Sequence, residues 1–246
     1  MRMFLNIKLN KFELSLWIFS LVVLFISYFV TKSSLINLLA TTTGVTALMF
    51  LAKGEPLGQL LTIIFSILYA LIAFKINYFS EVVTYLGMTL PSALIALVIW
   101  YRNPYEKSKT IVKIETLNRK QIILIILISL IILGIFYYLL KVLSTPYLLL
   151  ATLSIFTSSI ASLLTFFRSR YYALFYALND LILITLWLLA TINKITFIPM
   201  VICFMVFFIN DLYAFYNWKH LEKSQIMGKD WIILVKTKKS RFHIAW

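Results

Sequence analysis

Cysteine appears once in this 246-residue sequence, histidine twice, proline five times and glycine six, and charged residues make up only 13% of it. Each scarcity removes a class of protein. A single cysteine, Cys203, permits no intrachain disulfide, and its place inside an apolar run gives it a packing role. The two histidines, His220 and His243, lie in the C-terminal stretch, so no Cys/His cluster is available for a metal. Six scattered glycines form no phosphate-cradling loop. A membrane-embedded phosphotransferase or protease needs acids clustered with histidine, or aspartates paired in a fixed local motif, and neither pattern occurs. The expectation is therefore a protein that is not an enzyme, holds no cofactor or metal, and does not pump with ATP.

What the sequence has in abundance is hydrophobic residues, 62% of the total. A surface made from such a composition leaves large apolar patches in water, so the bilayer is the solvent that fits. Crossing a hydrocarbon core of about 30 Å takes roughly 20 apolar residues. Apolar runs separated by charge or by Pro/Gly punctuation predict eight spans, at about 13–31, 35–52, 58–75, 80–101, 121–141, 147–167, 172–192 and 196–218. Their hydrophobicity is continuous rather than alternating, which selects helices over a barrel. The expected fold is an all-α polytopic membrane protein forming a single membrane domain over 1–246. The first run, from Leu14 to Val30, reads as a retained span rather than a cleaved signal.

The basic residues give an independent reading of orientation. With eight spans, 19 of the 23 lysines and arginines fall on the side that carries both termini, and only Lys32, Lys75, Lys141 and Lys194 fall on the other. By the positive-inside rule both termini are expected in the cytoplasm of a cell-membrane protein. The net charge of +14 then belongs to short loops and to a basic tail over 219–246. Anionic lipid headgroups are the expected partner, with attraction worth about 1 kcal/mol per basic residue, and nucleic acid is not expected. The stretch from Lys236 to Trp246 mixes cations with Phe242 and Trp246, a composition suited to lying on headgroups.

Leu38-Leu39-Ala40-Thr41 near the start of the second span recurs as Leu149-Leu150-Ala151-Thr152 near the start of the sixth. Each copy opens a block of three spans that closes on a tryptophan and a cation, Trp100 with Arg102 and Trp218 with Lys219. The expected arrangement is 1+3+1+3: a first helix (13–31), a three-helix block (35–101), a connecting helix (121–141) and a second block (147–218). Four spans separate the block starts, so the blocks are parallel, a transporter plan that places solute near the midplane between them.

Two acids lie deep in spans, and each follows an asparagine: Asn179-Asp180 in span 7 and Asn210-Asp211 in span 8. At a helical rise of 1.5 Å per residue they sit about 12 Å and about 10 Å deep, at one level on antiparallel neighbours. Ionisable groups inside a membrane cost roughly 2.5–3.5 kcal/mol on insertion scales and mark functional sites by default. Tyr172, Tyr176 and Asn179 share one helical face, and Tyr213 lies beyond Asn210 on span 8. Aromatic walls with amide and carboxylate groups suit a flat heteroaromatic ring carrying a hydroxylated sugar. The alternative is an interhelical clamp in a protein that transports nothing. Other tyrosines, such as Tyr28, Tyr78 and Tyr147, fall at span ends and read as interface anchors.

The stretch Tyr69-Ala70, Ala73-Phe74-Lys75, Tyr78-Phe79-Ser80-Glu81, Tyr85-Leu86-Gly87-Met88-Thr89-Leu90-Pro91 and Trp100-Tyr101-Arg102-Asn103-Pro104 resembles the PnuC family of bacterial vitamin transporters. Arg168, Arg170, Asn179 and Trp218-Lys219 extend the resemblance, which covers about 35–220. It implies parallel three-helix repeats like those of the sugar-transporting SWEET proteins, assembled as homotrimers. It also implies uptake of nicotinamide riboside by facilitated diffusion, with trapping by an intracellular kinase. Thiamine, riboflavin and (deoxy)nucleosides are the alternative solutes. The substrate-binding residues it implies, together with the reading above, are Asn179, Asp180, Tyr176, Tyr172, Phe175, Asn210, Asp211, Tyr213, Tyr69 and Tyr85. Where that family shows Trp-x-x-Trp-x-x-x-Asn entering span 7, this sequence has Tyr172, Phe175 and Asn179.

Overall fold

The computed structural model describes residues 9–75, 78–106, 108–193, 195 and 198–242, without the side chains of 79, 80, 109, 193 and 228–242. Eight helices among the described residues are long and apolar enough to cross a membrane. They are built from α1 (Lys11–Thr31), α2 (Leu35–Ala52), α3 (Leu57–Lys75), α4 (Phe79–Thr84) continued by a π-helical turn (Tyr85–Thr89) into α5 (Leu90–Arg102), then α6 (Arg119–Val142), α7 (Leu148–Phe166), α8 (Tyr171–Asn193) and α9 (Ile198–Phe242). The basic tail from Lys236 to Trp246 lies outside the described side chains, as do the N-terminal cations Arg2 and Lys8.

Local chemistry sets the ends of these helices. Asn10 caps α1 by accepting from the Glu13 N–H, while Glu13 returns a bond to the Asn10 N–H at 2.7 Å. Asn118 and Gln121 cap α6 in the same way. The two single helices thus open on matching capping boxes, Asn-Lys-Phe-Glu and Asn-Arg-Lys-Gln. Fully apolar faces look outward, with Phe29, Val30, Leu149 and Ile192 all more than 70% exposed.

In lipid, helices associate through close packing and hydrogen bonds rather than through burial from water. Small residues supply the closeness here: Ala40, Gly44 and Ala47 on α2, and Ser154, Ser158 and Ser162 on α7. Within each proposed block, neighbours pack in sequence, α2 on α3 and α3 on α5, α7 on α8 and α8 on α9. Between them the contacts run α2 on α9 and α5 on α7, while α1 packs on α2 and α9, and α6 on α7.

Three features depart from the sequence reading. The fourth span is not one regular helix, because a wider turn at Tyr85–Thr89 precedes Pro91, which has no N–H to close a normal ladder. The connection after α5 contains strand, where an all-α fold was expected. Its β-branched stretch Thr110-Ile111-Val112 forms a short antiparallel hairpin, β1 (Pro104–Tyr105) with β2 (Ser108–Val112). This hairpin is tucked under the bundle: Val112 is fully buried, donates to Gly54 O at 2.9 Å, and is held by Gln225 Nε2 on its carbonyl at 3.0 Å. Finally, α9 does not stop at Trp218, because the following Leu, Glu, Lys and Gln residues are all good helix formers.

Candidate functional site

The helices converge on a cavity with polar groups at several depths. Tyr172, Tyr176, Asn179 and Asp180 reach it from α8, Asp211 from α9, Tyr85 from the π turn and Glu81 from α4. Gly44 and Leu51 of α2, Gln59, Thr62 and Phe65 of α3, Ser154 and Ser158 of α7, and Phe207 of α9 also line it. Its volume is about 80 Å³, well below the roughly 300–1,000 Å³ of a typical small-molecule site.

Asp180 and Asp211 are both buried and both line this cavity, one from each of two neighbouring helices. Oδ2 of Asp180 receives no hydrogen bond from any donor among the described residues. Neighbouring Asn179 is fixed instead. Its Oδ1 accepts from Ser154 Oγ at 2.7 Å and Thr157 Oγ1 at 3.2 Å, which leaves its amide N–H groups for the cavity. Ser162 steadies the Tyr176 hydroxyl at 3.2 Å.

At one end of the cavity Tyr172 donates to Leu51 O at 3.1 Å, with Trp100 and Trp218 packed directly against it. At the other end Glu81 accepts from the Tyr69 hydroxyl at 3.3 Å, and Trp187 Nε1 donates to that hydroxyl at 3.0 Å. Tyr69 and Tyr85 hold their ring centroids 4.1 Å apart.

Six of the ten residues read from the sequence therefore reach this cavity: Asn179, Asp180, Tyr176, Tyr172, Asp211 and Tyr85. Tyr69 stands behind the wall and orients Glu81. The other three lie elsewhere. Phe175 borders a separate groove with Arg170 and Ile125, one helical step away from the Tyr176 face. Asn210 donates to Val206 O of its own helix at 2.8 Å and toward Ser20 of α1 at 3.5 Å, so it bonds to the first span and not across spans 7 and 8. Tyr213 donates to Glu13 Oε1 at 2.6 Å, beside the Glu13–Lys53 ion pair. At the start of the fourth span the Tyr78 ring stacks on Trp187.

Glu81 is the residue the sequence reading passed over. Its place at the start of a span marks it as a helix-end acid, yet it is only 7% exposed. Its partner is Tyr69 on the preceding helix, twelve positions earlier, a contact that only the fold makes.

Eight helices long and apolar enough to cross a membrane, with buried carboxyl groups on the wall of a shared cavity, define an α-helical membrane protein with a polar interior site. Residues 34–220 match the nicotinamide mononucleotide transporter family, and the chain belongs to it. It is 23% identical over 188 residues to the nicotinamide riboside transporter PnuC of Neisseria mucosa (strain ATCC 25996 / DSM 4631 / NCTC 10774 / M26), covering 75% of this chain and 72% of that protein. Its fold superposes on the crystal structure of the vitamin B3 transporter PnuC with a TM-score of 0.78 at 22% identity, over 89% of this chain and 94% of the other.

Proposed function

We propose that this chain carries a vitamin or nucleoside-like solute across the cell membrane, with nicotinamide riboside the first candidate and both chain ends in the cytoplasm. The observation that carries this reading is a coincidence of position: the family match over 34–220 spans the helices that wall the cavity. Asn179, Asp180, Tyr176 and Asp211 are the proposed solute contacts, with Tyr85 and Tyr172 as aromatic walls. Uptake is passive, down the solute's own gradient, and an intracellular kinase maintains that gradient by phosphorylating the solute. The cavity has to widen to admit a riboside, and the π turn at Tyr85–Thr89 is a natural place to bend.

The proposed 1+3+1+3 arrangement has support in how the helices meet. The contacts α2 on α9 and α5 on α7 pair the first helix of each block with the last helix of the other. The two helices that precede the blocks in sequence, α1 and α6, open on matching capping boxes, which is consistent with this plan. Assembly as a trimer, with the basic loops on anionic headgroups, completes the proposal.

Liposomes containing the purified protein should equilibrate labelled nicotinamide riboside without ATP or an imposed ion gradient. Thiamine, riboflavin, uridine and deoxyuridine in the same assay rank the alternative solutes. Absence of uptake for all of them overturns the reading and leaves a membrane protein whose polar pairs only join helices.

A further inference from the structure

We propose that a groove where the α5–α6 connection meets the α7–α8 turn is a binding site for one anionic phospholipid, with its phosphate at Arg170 and Tyr171 and one acyl chain along an apolar floor. The inference goes beyond the transport reading and needs only a chain that spans a bilayer, so neither falls with the other.

The groove lies between α6, α7 and α8, apart from the central cavity, and encloses about 530 Å³, within the usual range for a small-molecule site. Ile125 and Ile126 of α6, Ile160 and Leu164 of α7, and Phe175 of α8 form its floor. Ile126 and Ile160 lie about two turns inside their helix ends, which puts the floor about 10 Å into the bilayer. Ile122 and Ile126 are nearly half exposed along α6, so the groove opens sideways toward lipid tails. Polar side chains line only the mouth, from the α5–α6 connection, the α7–α8 turn and Glu222 of α9. A floor of this kind holds a hydrocarbon chain and offers nothing to a hydroxylated solute.

The mouth is built to donate. Arg170 is held by Glu222, donates to the Tyr171 hydroxyl at 3.0 Å, and lies over that ring, an arrangement that leaves guanidinium N–H groups to spare. Tyr171 accepts in that bond, and its own O–H meets no acceptor among the described residues. Ser169 is only 2% exposed and lines the groove, and its hydroxyl has no hydrogen bond among the described residues. A buried hydroxyl without a partner is costly, and phosphate oxygens accept from all three kinds of donor. The acids at the mouth are already paired, Glu222 with Arg170, and Glu115 with Arg168 at 2.7 Å and Lys113 at 3.5 Å. Arg119 is exposed one turn before Ile122 on the same face of α6, so Lys113, Arg119, Arg168 and Arg170 outweigh Glu115 and Glu222. Basic pockets between spans at headgroup level attract anionic lipid. A free phosphate would leave the floor empty, and an uncharged lipid would leave the cations unused.

Native mass spectrometry of the full-length, delipidated protein tests this, with dioleoyl phosphatidylglycerol as the probe. Phosphatidylcholine with the same chains and inorganic phosphate are the controls. The expected result is one phosphatidylglycerol held per protomer, with phosphatidylcholine about tenfold weaker and phosphate unable to displace the lipid. Arg170→Ala should weaken retention about tenfold, and Arg119→Ala about fivefold. Lys120→Ala, on the opposite face of α6, should change it by less than about twofold, because an exposed charge away from the site acts weakly. Arg119 and Lys120 are both exposed, so their comparison decides even where Arg170→Ala fails to fold. Equal losses from Arg119→Ala and Lys120→Ala, or equal retention of the two lipids, overturn the inference and leave only a diffuse attraction to headgroups. Displacement of the lipid by inorganic phosphate overturns it too, assigning the mouth to a free anion. So does lipid held by separated protomers but excluded from the oligomer, which assigns the groove to a second copy of the chain.

Discussion

Trp100 and Trp218 pack with ring centroids 5.3 Å apart, and each donates its indole N–H to a carbonyl near the C-terminal end of the other block's first helix. Trp100 reaches Thr165 O of α7 at 3.0 Å, and Trp218 reaches Leu51 O of α2 at 2.9 Å. The exchange ties the two halves together just below the cavity, where Tyr172 also rests on Leu51. The partners are not equally replaceable. Without Trp218 the Leu51 carbonyl keeps Tyr172, whereas Thr165 O has no second side-chain donor among the described residues. Trp100→Phe should therefore cost more than Trp218→Phe, each within about 1–3 kcal/mol for the lost bond and ring volume. Thermal unfolding of the two variants and their double measures this. Because the rings touch, the double should be non-additive by roughly 0.5–3 kcal/mol. Equal and additive losses would show that the exchange does not join the halves.

Two glycines on neighbouring helices should behave differently. A Cβ at Gly44 would stand 2.5 Å from Phe207 Cζ, the far end of that ring, and 3.0 Å from Cδ2 on the edge of the Phe65 ring, both of which line the cavity. Those rings can yield only by moving, so Gly44→Ala should cut solute uptake more than it lowers stability. At Gly58 the Cβ would lie 2.7 Å from the backbone N of Leu51, which cannot move aside cheaply. Gly58→Ala should cost about 1–3 kcal/mol of stability, the usual range for overpacking. Uptake rates and melting temperatures measured on both variants check the contrast, and it fails if Gly44→Ala is the more destabilising.

The span count, the level of the deep acids and the Tyr172–Tyr176–Asn179 face were all legible in the sequence, because apolar runs and helical spacing encode them directly. Burial of Glu81 was not. Its neighbours in sequence, Ser80 and Val82, are those of an ordinary helix start, and only the fold brings to it the Tyr69 hydroxyl, itself held by Trp187. Asn210 and Tyr213 show the converse limit. Their spacing along α9 is right for a solute face, but α1 packs on that side and takes both as partners, through Ser20 and Glu13. Which face of a span looks inward depends on where a helix distant in sequence docks, and the hydrophobic pattern of an almost uniformly apolar helix does not record it.

Glu55 lies in the turn between α2 and α3, outside the spans, and burial holds its carboxyl above the usual carboxylate range despite a hydrogen bond from Thr110. A group whose pKa is higher in the folded state binds its proton more tightly there. Its contribution is therefore fully present at low pH and lost as pH rises through the folded value. Glu55→Gln, which stays neutral, should melt higher than the wild type at pH 8, and the gap should close as pH falls to 4. Parallel curves across that window would show that the carboxyl is not strained by its burial.

Asn179 offers the sharpest test of the cavity itself. Ser154 and Thr157 hold its carbonyl oxygen, so the amide N–H groups face the space where solute is proposed to sit. Removing a buried amide leaves its ligand partner unpaired, at roughly 1–3 kcal/mol. Asn179→Leu should then weaken solute binding about 5- to 150-fold, since 1.4 kcal/mol is a factor of ten. Ser154→Ala is the informative companion, because it loosens the amide without deleting it and should have a smaller effect on affinity. A clamp predicts a different pattern. Each change would lower the melting temperature, both by similar amounts, and neither would alter the affinity of the protein that remains folded. Binding isotherms and melting curves on the same two preparations separate the cases, and wild-type affinity in a folded Asn179→Leu protein removes Asn179 from the site.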